Sequence, residues 1–242
     1  MKSSHIYIST LILFFVLPMH AQWSKKIKGN GNIVKENREV STYDEISVNG
    51  NIDVVLVEGK EGRIAVKAEE NLLEYIEISV TKNTLKIKSK DRTELRPTKG
   101  KNILITVPAQ DLNKLTLNGS GGMKGNVTLR DNKIKLQVNG SGDIEVDVKA
   151  TNVKAVINGS GDITITGKTF VFDAKVFGSG NIDGNDLRAN ISKGKVVGSG
   201  NIIFYAEEKL EAKIIGSGDI KVNETVGKIE KKIIGSGDII KK

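Results

Sequence analysis

Cysteine is absent from the 242-residue chain, and the only two histidines are His5 and His20. Both lie in an N-terminal segment, residues 1–21, that has the features of a secretory signal peptide. The mature chain would then contain neither residue type, which excludes disulfides, Ser-His and Cys-His nucleophilic catalysis and typical zinc sites. Three prolines and few aromatic residues, against 26 glycines, indicate many turns rather than a large globular core.

The signal peptide is predicted from Lys2, an apolar run over residues 6–17 and the small residue Ala21, after which cleavage is expected. The apolar run is too short to cross a bilayer as a helix, and no longer run follows, so no transmembrane segment is predicted. We therefore expect an exported protein that resides in the periplasm, on the outer cell surface or outside the cell.

The sequence Gly-Ser-Gly occurs seven times at intervals of 18 to 21 residues, a regularity that indicates a repeat architecture. The first glycines of the copies are Gly119, Gly140, Gly159, Gly178, Gly198, Gly216 and Gly235. Related sequences occupy residues 29–33 and 48–52. Each copy is predicted to be a corner between two strands, because glycine adopts positive φ without a Cβ clash.

Apolar and polar residues alternate on both sides of each corner, which is the pattern of strands with one buried face. Apolar residues stand two positions before the first glycine, as Val138 does, and four positions after it, as Ile144 does. Asp or Asn stands three positions after that glycine in all copies but the first, and we expect it to hydrogen-bond within its own turn. Such a unit buries its apolar face only by stacking on its neighbours.

These patterns favour an all-β fold, a right-handed parallel β-helix with coils of about 19 residues. An antiparallel β-roll or prism, with Gly-Ser-Gly as a hairpin loop, is the alternative. Residues 22–242 are predicted to form one solenoid domain, with a diverged N-terminal third over about 22–110 and regular repeats over about 111–242. Within the diverged part, residues 69–75 are predicted to be helical and residues 88–101 to form a charged loop.

Three segments, together with the repeated corners, resemble the head GIN domain family, exported bacterial proteins described as auto-transporter adhesins. The segments are VNGNIDV over residues 48–54, VKAEENLL over 66–73 and NTLKI over 83–87. The resemblance extends over about residues 40–242. It implies an exported, solenoid-like all-β protein, and it assigns no catalytic residue, ligand or cofactor.

Carboxylates are the only acid–base groups left for catalysis, so a carbohydrate-active enzyme is the enzymatic alternative. Asp143, Asp162, Asp219 and Asp238 are predicted to stack along one edge, which is not the opposed geometry that glycan hydrolysis needs. Calcium-binding β-rolls also contain Gly-x-Gly-x-Asp, but in nonapeptide repeats and with more oxygen ligands. We predict no catalytic residue, metal ion or cofactor, and interpret the Asp residues as a structural ladder.

Eight lysines occupy outward strand positions three or five residues before a corner and form the predicted binding face. They are Lys114, Lys135, Lys154, Lys175, Lys193, Lys195, Lys213 and Lys232. Such a face either stays solvated and resists aggregation or attracts an acidic glycan or lipid head groups. Nucleic acid is not expected as a partner, since aromatic residues are not interleaved with the lysines.

The residue directly before each corner changes character along the chain. Asn118, Asn139 and Asn158 occupy this position in the first three copies. The last four copies have apolar residues there: Phe177, Val197, Ile215 and Ile234. Two interpretations stay open: an inward-facing position with a ladder of stacked Asn side chains, or an exposed apolar strip that contacts a partner.

The seventh corner is followed by a short strand that contains Ile239 and Ile240. An uncovered strand edge pairs readily with another chain. We therefore expect either self-association through this C-terminal coil or protection of its edge by charge. The protecting residues would be Lys231, Lys232, Lys241 and Lys242.

The function predicted from these features is that of an exported, non-enzymatic binding or surface-structural protein that resembles adhesins. One alternative is a carbohydrate-active enzyme that uses carboxylates. The other is a periplasmic protein that binds lipid or another envelope component.

Overall fold

The computed structural model describes residues 24–242, so the predicted signal peptide lies outside the described residues. This part of the chain forms eighteen β-strands and one short α-helix, which confirms the all-β class. No helix within residues 24–242 has the length and apolar character needed to cross a membrane.

The N-terminal end, residues 24–119, contains all the antiparallel pairing of the described chain. Its elements are β1 (Lys25–Lys28), β2 (Ile33–Glu39), β3 (Glu45–Gly50), β4 (Asp53–Glu58), β5 (Arg63–Glu69), α1 (Glu70–Leu73), β6 (Ile76–Thr81), β7 (Thr84–Ser89), β8 (Thr93–Arg96), β9 (Leu104–Ala109) and β10 (Lys114–Gly119). β5 pairs with β2 and β9, and β6 pairs with β7, all antiparallel. β1 and β8 form a separate two-stranded parallel sheet.

The repeat region is a stack of long parallel strands, each of which forms one coil between two corners. The strands are β11 (Gly122–Gly140), β12 (Asp143–Gly159), β13 (Asp162–Gly178), β14 (Asn181–Gly198) and β15 (Asn201–Gly216). Each pairs in parallel with the next, so that Gly140 lies opposite Gly159 and Ile144 opposite Ile163. The predicted parallel β-helix is confirmed, and the antiparallel alternative is wrong for the repeats. The hand of the coil stays a prediction.

Shorter strands complete the stack. β16 (Ile220–Val222) and β17 (Lys228–Gly235) pair with β15, and β18 (Ile239–Lys241) pairs with β16. At the other end, β10 lies between β3 and β11, with all three strands parallel. The result is a solenoid of about seven turns.

Local predictions for the N-terminal third are confirmed in one case and corrected in two. The helix predicted over residues 69–75 is α1. The loop predicted over residues 88–101 is wrong in part, because β8 lies within it and pairs with β1. Residues 29–33 are not a stacked corner: Gly50 is the partner that lies opposite Gly119, whereas Gly29 packs against the carboxylate of Glu69.

The interior is one continuous cluster of buried apolar side chains whose sizes complement each other. The rings of Phe172 and Phe204 meet edge to face with their centroids 5.3 Å apart. Small residues make room for them: a Cβ on Gly184 would lie 2.6 Å from the Phe172 ring, and a Cβ on Gly194 would lie 2.6 Å from the Phe204 ring. Ser192, the polar exception in this layer, lies opposite Phe172 and is fully buried.

Direct backbone contact between coils explains why both glycines of each corner recur. Gly159 has φ = 139°, as the corner prediction required, and a Cβ on it would overlap the carbonyl oxygen of Gly140. That oxygen accepts hydrogen bonds from the N–H groups of Ser160 at 2.9 Å and Gly161 at 3.1 Å. A Cβ on Gly161 would in turn overlap the carbonyl oxygen of Gly142. The corners therefore form a column of backbone that only glycine permits.

The Asp or Asn that follows each corner bonds to the next coil, so the predicted bond within its own turn is wrong. Asp143 Oδ1 accepts a hydrogen bond from the N–H of Asp162 at 3.0 Å, and Asp162 Oδ1 accepts one from the N–H of Asn181 at 2.8 Å. The same bond recurs in each later coil as far as Asp238. Because corner N–H groups need an acceptor, this ladder couples each coil to the one before it.

Candidate binding face

The sheet that precedes the corners presents an outward face made of columns of side chains. In β11 to β15, the residues two, four and six positions before a corner are buried in the core, so those one, three and five positions before it point outward. The parallel register places equivalent residues of successive coils above one another. The columns therefore run along the solenoid axis, with about 4.8 Å between coils.

The columns change character between β12 and β13. From β13 onward, the lysine column stands three positions before the corners and consists of Lys175, Lys195, Lys213 and Lys232. The apolar column stands one position before them and consists of Phe177, Val197, Ile215 and Ile234. The mixed column stands five positions before them and consists of Asp173, Lys193, Glu211 and Glu230.

All eight lysines predicted for the binding face lie on this outward face, but in two columns. Four form the lysine column. The others stand five positions before their corners and are Lys114, Lys135, Lys154 and Lys193. In the first coils, Lys114 Nζ lies 2.7 Å from Oε2 of Glu45, which offsets part of the charge. The structure thus brings the eight residues onto one surface, and their role in binding stays a prediction.

Salt bridges neutralise the acids of the mixed column. Glu211 lies 3.4 Å from Lys193 and 3.0 Å from Lys209, and Glu230 lies 3.0 Å from Lys209 and 2.9 Å from Lys228. Hydrogen bonds from Lys209 and Lys228 hold the pKa of Glu211 and of Glu230, respectively, below their ordinary values. Sequence reasoning missed these two lysines. Their position, seven residues before a corner, continues the outward alternation and could have identified them.

The lysine column keeps most of its charge available. Lys175 Nζ lies 3.1 Å from Oδ2 of Asp173. For Lys195, Lys213 and Lys232, no carboxylate in the described chain lies within 4 Å of the ammonium group. Three successive coils therefore present unpaired ammonium groups at the same surface position.

The residue before the corner faces outward, so the inward-facing interpretation is wrong. Asn118, Asn139 and Asn158 each donate from Nδ2 to the Oδ1 of an Asn in the preceding coil, at 2.6–2.8 Å. This is the predicted ladder of stacked amides, but on the surface. In the later coils the ladder gives way to the apolar column, in which Phe177 is 37% exposed and Ile234 is 52% exposed. Contact of this strip with a partner stays a prediction.

The lysine and apolar columns are in contact with each other. The ammonium group of Lys195 lies 5.3 Å from the centroid of the Phe177 ring, a cation–π arrangement. On the other side, the lysine and mixed columns line a shallow depression of roughly 410 Å³. A ligand on this face would meet, in order, apolar side chains, unpaired ammonium groups and salt-bridged carboxylates.

The sheet that follows the corners presents the Asp and Asn ladder instead. Asp143 and Asp162 lie on the same side of this sheet in successive coils, and Oδ1 of each accepts a backbone N–H. They are therefore stacked rather than placed on opposite sides of a cleft, unlike the carboxylates of a glycosidase. Within residues 24–242, no cluster of three or more His, Asp or Glu side chains is arranged to hold a metal ion.

The C-terminal coil exposes an apolar side chain that earlier coils bury. Ile233 is 37% exposed, whereas Ile214, which lies opposite it in β15, is fully buried. Lys231 and Lys232 neighbour Ile233 on β17. Self-association through this coil, or its protection by Lys231, Lys232, Lys241 and Lys242, stays a prediction.

Similarity to known proteins extends over most of the chain. A "putative lipid binding protein" from Parabacteroides distasonis has a crystal structure with a TM-score of 0.75 and 28% identity, covering 90% of this chain and 100% of that one. A "putative adhesin" from Bacteroides fragilis has a TM-score of 0.79 and 21% identity, covering 88% and 100% of the two chains. Another, from Parabacteroides merdae, has a TM-score of 0.69 and 20% identity, covering 89% and 99%. No curated protein is similar to the chain.

The two adhesin structures share the fold, and the family is shown by the sequence itself. Residues 42–225 match the family described as "Putative auto-transporter adhesin, head GIN domain". This range includes the segments over residues 48–54, 66–73 and 83–87 and all but the last of the Gly-Ser-Gly corners. The chain belongs to this family, the head GIN domain family.

Proposed function

We propose that the protein is an exported, non-enzymatic binding protein of the adhesin type, which holds an anionic ligand on the lysine and apolar columns. The observation that carries the proposal is the set of unpaired ammonium groups of Lys195, Lys213 and Lys232. Like charges stacked about 4.8 Å apart repel one another, and a bound anion relieves that repulsion.

The local nature of the lysine column supports a binding role over a general surface property. The equivalent outward positions of β3, β10, β11 and β12, the four strands stacked directly before β13, are Ser47, Thr116, Gln137 and Val156, which carry no charge. Lysines that only kept strand surfaces soluble would not need to coincide with an apolar column. Here both columns begin in the same coil, with Lys175 and Phe177.

The relatives support binding over catalysis. The family is described as adhesins, and the structurally similar proteins are described as adhesins or as a lipid-binding protein rather than as enzymes. Export is supported by the signal peptide predicted from sequence. A polysaccharide that binds the protein should therefore keep its chain length during incubation with it. Measurable shortening of the polysaccharide would contradict the non-enzymatic assignment.

A lipid ligand is the second candidate, and two observations favour it. The Parabacteroides distasonis relative is described as lipid binding, and the apolar column offers contact area for acyl chains. In that case Phe177 and Ile234 would carry the affinity. Binding would then persist at high salt, because burial of apolar surface is not screened by ions.

The test compares two variants with the same change in net charge. Lys195→Glu/Lys213→Glu reverses charge within the lysine column, and Lys149→Glu/Lys168→Glu reverses it at two exposed lysines that lie opposite each other in β12 and β13, outside the predicted binding face. Titration of an acidic polysaccharide at low ionic strength should show binding that weakens with salt and falls about tenfold in the first variant only. Equal losses of affinity in both variants would show that binding depends only on net charge, which would contradict a specific binding face.

A further inference from the structure

We infer that the ligand is a linear polysaccharide with one acidic group on every sugar, bound along the solenoid axis over the lysine column; this rests on the proposed function. The lysine column is straight, because Lys175, Lys195, Lys213 and Lys232 are partners in one continuous parallel register. Their spacing is set by the backbone at about 4.8 Å. A polyuronate carries one carboxylate on every sugar ring, at a similar repeat. Successive carboxylates of such a chain alternate about its axis, and the flexible four-carbon stems of the lysines can follow that alternation, so each coil can pair with one sugar.

The apolar column can contact a second feature of a sugar chain, the C–H face of its rings. Phe177 and Ile234, at the two ends of the column, are 37% and 52% exposed, and Val197 and Ile215 between them are half-buried. This makes a low apolar ridge beside the ammonium groups rather than a set of protruding side chains. The C–H face of a sugar ring can pack against such a ridge, which leaves the carboxylates within reach of the lysine side chains.

The mixed column argues against a flat anionic surface as the occupant. Asp173, Glu211 and Glu230 stand in the column next to the lysines, two residues away on each strand. A membrane pressed on this face would cover these salt-bridged carboxylates together with the lysines, and removing the ion pairs from water would cost free energy. A single polymer chain is narrow enough to contact the lysine and apolar columns without covering the mixed column.

The length of the site follows from where the two columns begin. One coil before Lys175 stands Val156, and one coil before Phe177 stands Asn158, so both the charge and the apolar ridge start at β13. The columns then extend over the four strands β13, β14, β15 and β17. The site therefore accommodates about four consecutive sugars, one for each coil.

Oligogalacturonates of two to eight sugars test this length, by calorimetric titration of the whole chain at constant ionic strength. The dissociation constant should fall by at least tenfold between two and four sugars and then change less than threefold up to eight. Hyaluronan oligosaccharides of equal charge, with one carboxylate on every second sugar, should bind at least tenfold more weakly. Lys195→Glu/Lys213→Glu should abolish the length dependence, and Lys149→Glu/Lys168→Glu should preserve it.

The outcomes separate this inference from the proposed function. Equal affinity for both oligosaccharide series, or affinity that rises steadily to eight sugars, would overturn the register match while leaving an anion-binding face. Binding to phosphatidylglycerol vesicles but not to oligogalacturonates, lost in Lys195→Glu/Lys213→Glu, would replace the polysaccharide by a lipid surface. Absence of binding to both uronates and vesicles would overturn the proposed function as well.

Discussion

Gly159 lies so close to Gly140 in the preceding coil that a side-chain carbon on Gly159 would overlap the Gly140 carbonyl oxygen. Gly159 also has φ = 139°, where residues with a Cβ are strained. We expect Gly159→Ala to destabilise the fold by about 1–3 kcal/mol from conformation alone, with a further loss from the overlap. Chemical denaturation measures the change. Gly122→Ala is the control, because its Cβ would meet only Asp53 Oδ1, at 3.5 Å; an unchanged midpoint for Gly159→Ala would contradict the stacked-corner explanation.

Gly122 marks the one regular corner at which the Asp and Asn ladder is missing a side chain. The N–H of Asp143 donates instead to the carbonyl oxygen of Gly121 at 3.2 Å. Gly122→Asn supplies the missing Oδ1, and we expect it to raise stability by about 0.5–1.5 kcal/mol. Comparison with Gly122→Ala separates the new hydrogen bond from the entropic effect of replacing glycine. If the two variants are equally stable, the ladder contributes nothing at this corner.

Ser192 is fully buried, and its hydroxyl has no hydrogen-bond partner in the described structure. A buried hydroxyl without a partner lowers stability, so Ser192→Ala should increase the free energy of unfolding by about 1 kcal/mol. Thr169→Val is the matched control. The Thr169 hydroxyl lies 3.2 Å from the carbonyl oxygen of Thr151, so its removal should lower the free energy of unfolding. A loss of stability in Ser192→Ala would show that the hydroxyl does have a partner.

Glu69 stabilises the N-terminal end of the structure, and its ionisation makes the stability of the fold depend on pH. Its carboxylate is buried and accepts hydrogen bonds from the Gly31 N–H at 2.5 Å and from the Thr98 N–H and hydroxyl at 2.8 and 2.6 Å. Burial alone would raise the pKa of Glu69, but these hydrogen bonds and the charge of Lys101 outweigh it and hold the pKa below its ordinary value. The folded state therefore favours the ionised form.

The stabilisation from Glu69 is present above the pKa of an unfolded glutamate and is lost as pH falls through the lowered folded value. Glu69→Gln should therefore lower the melting temperature most near neutral pH, and the difference from the unmodified chain should shrink in acid. Glu74→Gln, an exposed neighbour, provides the control. A difference that stays constant from neutral to acidic pH would show that the carboxylate's charge is not what the site stabilises.

The repeat half of the fold is readable from sequence because each coil obeys the same local rule. Alternation places Val138 and Ile144 inside, and the recurring glycines locate the corners. The N-terminal third cannot be predicted in the same way, since the sequences at residues 29–33 and 48–52 begin 19 residues apart and look like successive copies. The chain instead inserts β5 to β9 between the coils, so Gly50 meets Gly119 across 69 residues of sequence. The spacing of glycines along the sequence identifies stacked corners only where no additional strands lie between two coils.

For the candidate site, alternation predicts which residues face outward but not which of them remain unpaired. The eight lysines reach the predicted surface, yet Lys209 and Lys228 decide which acids are neutralised. The Asp ladder shows the same limit: a side chain such as Asp143 has donors both in its own turn and in the adjacent coil. The choice of the donor in the adjacent coil depends on the distance between coils, which the sequence does not give.

In-register stacking also makes the length of this molecule adjustable in whole steps. Each coil contacts chiefly the coils on either side, as in other repeat proteins. Removal of residues 160–178 would join Gly159 to Ser179 as an intact Gly-Ser-Gly corner and carry Lys175 and Phe177 away together. Duplication of the same stretch would lengthen the surface by one lysine and one apolar residue. Gain or loss of a repeat would thus change the length of the binding surface by one coil at a time.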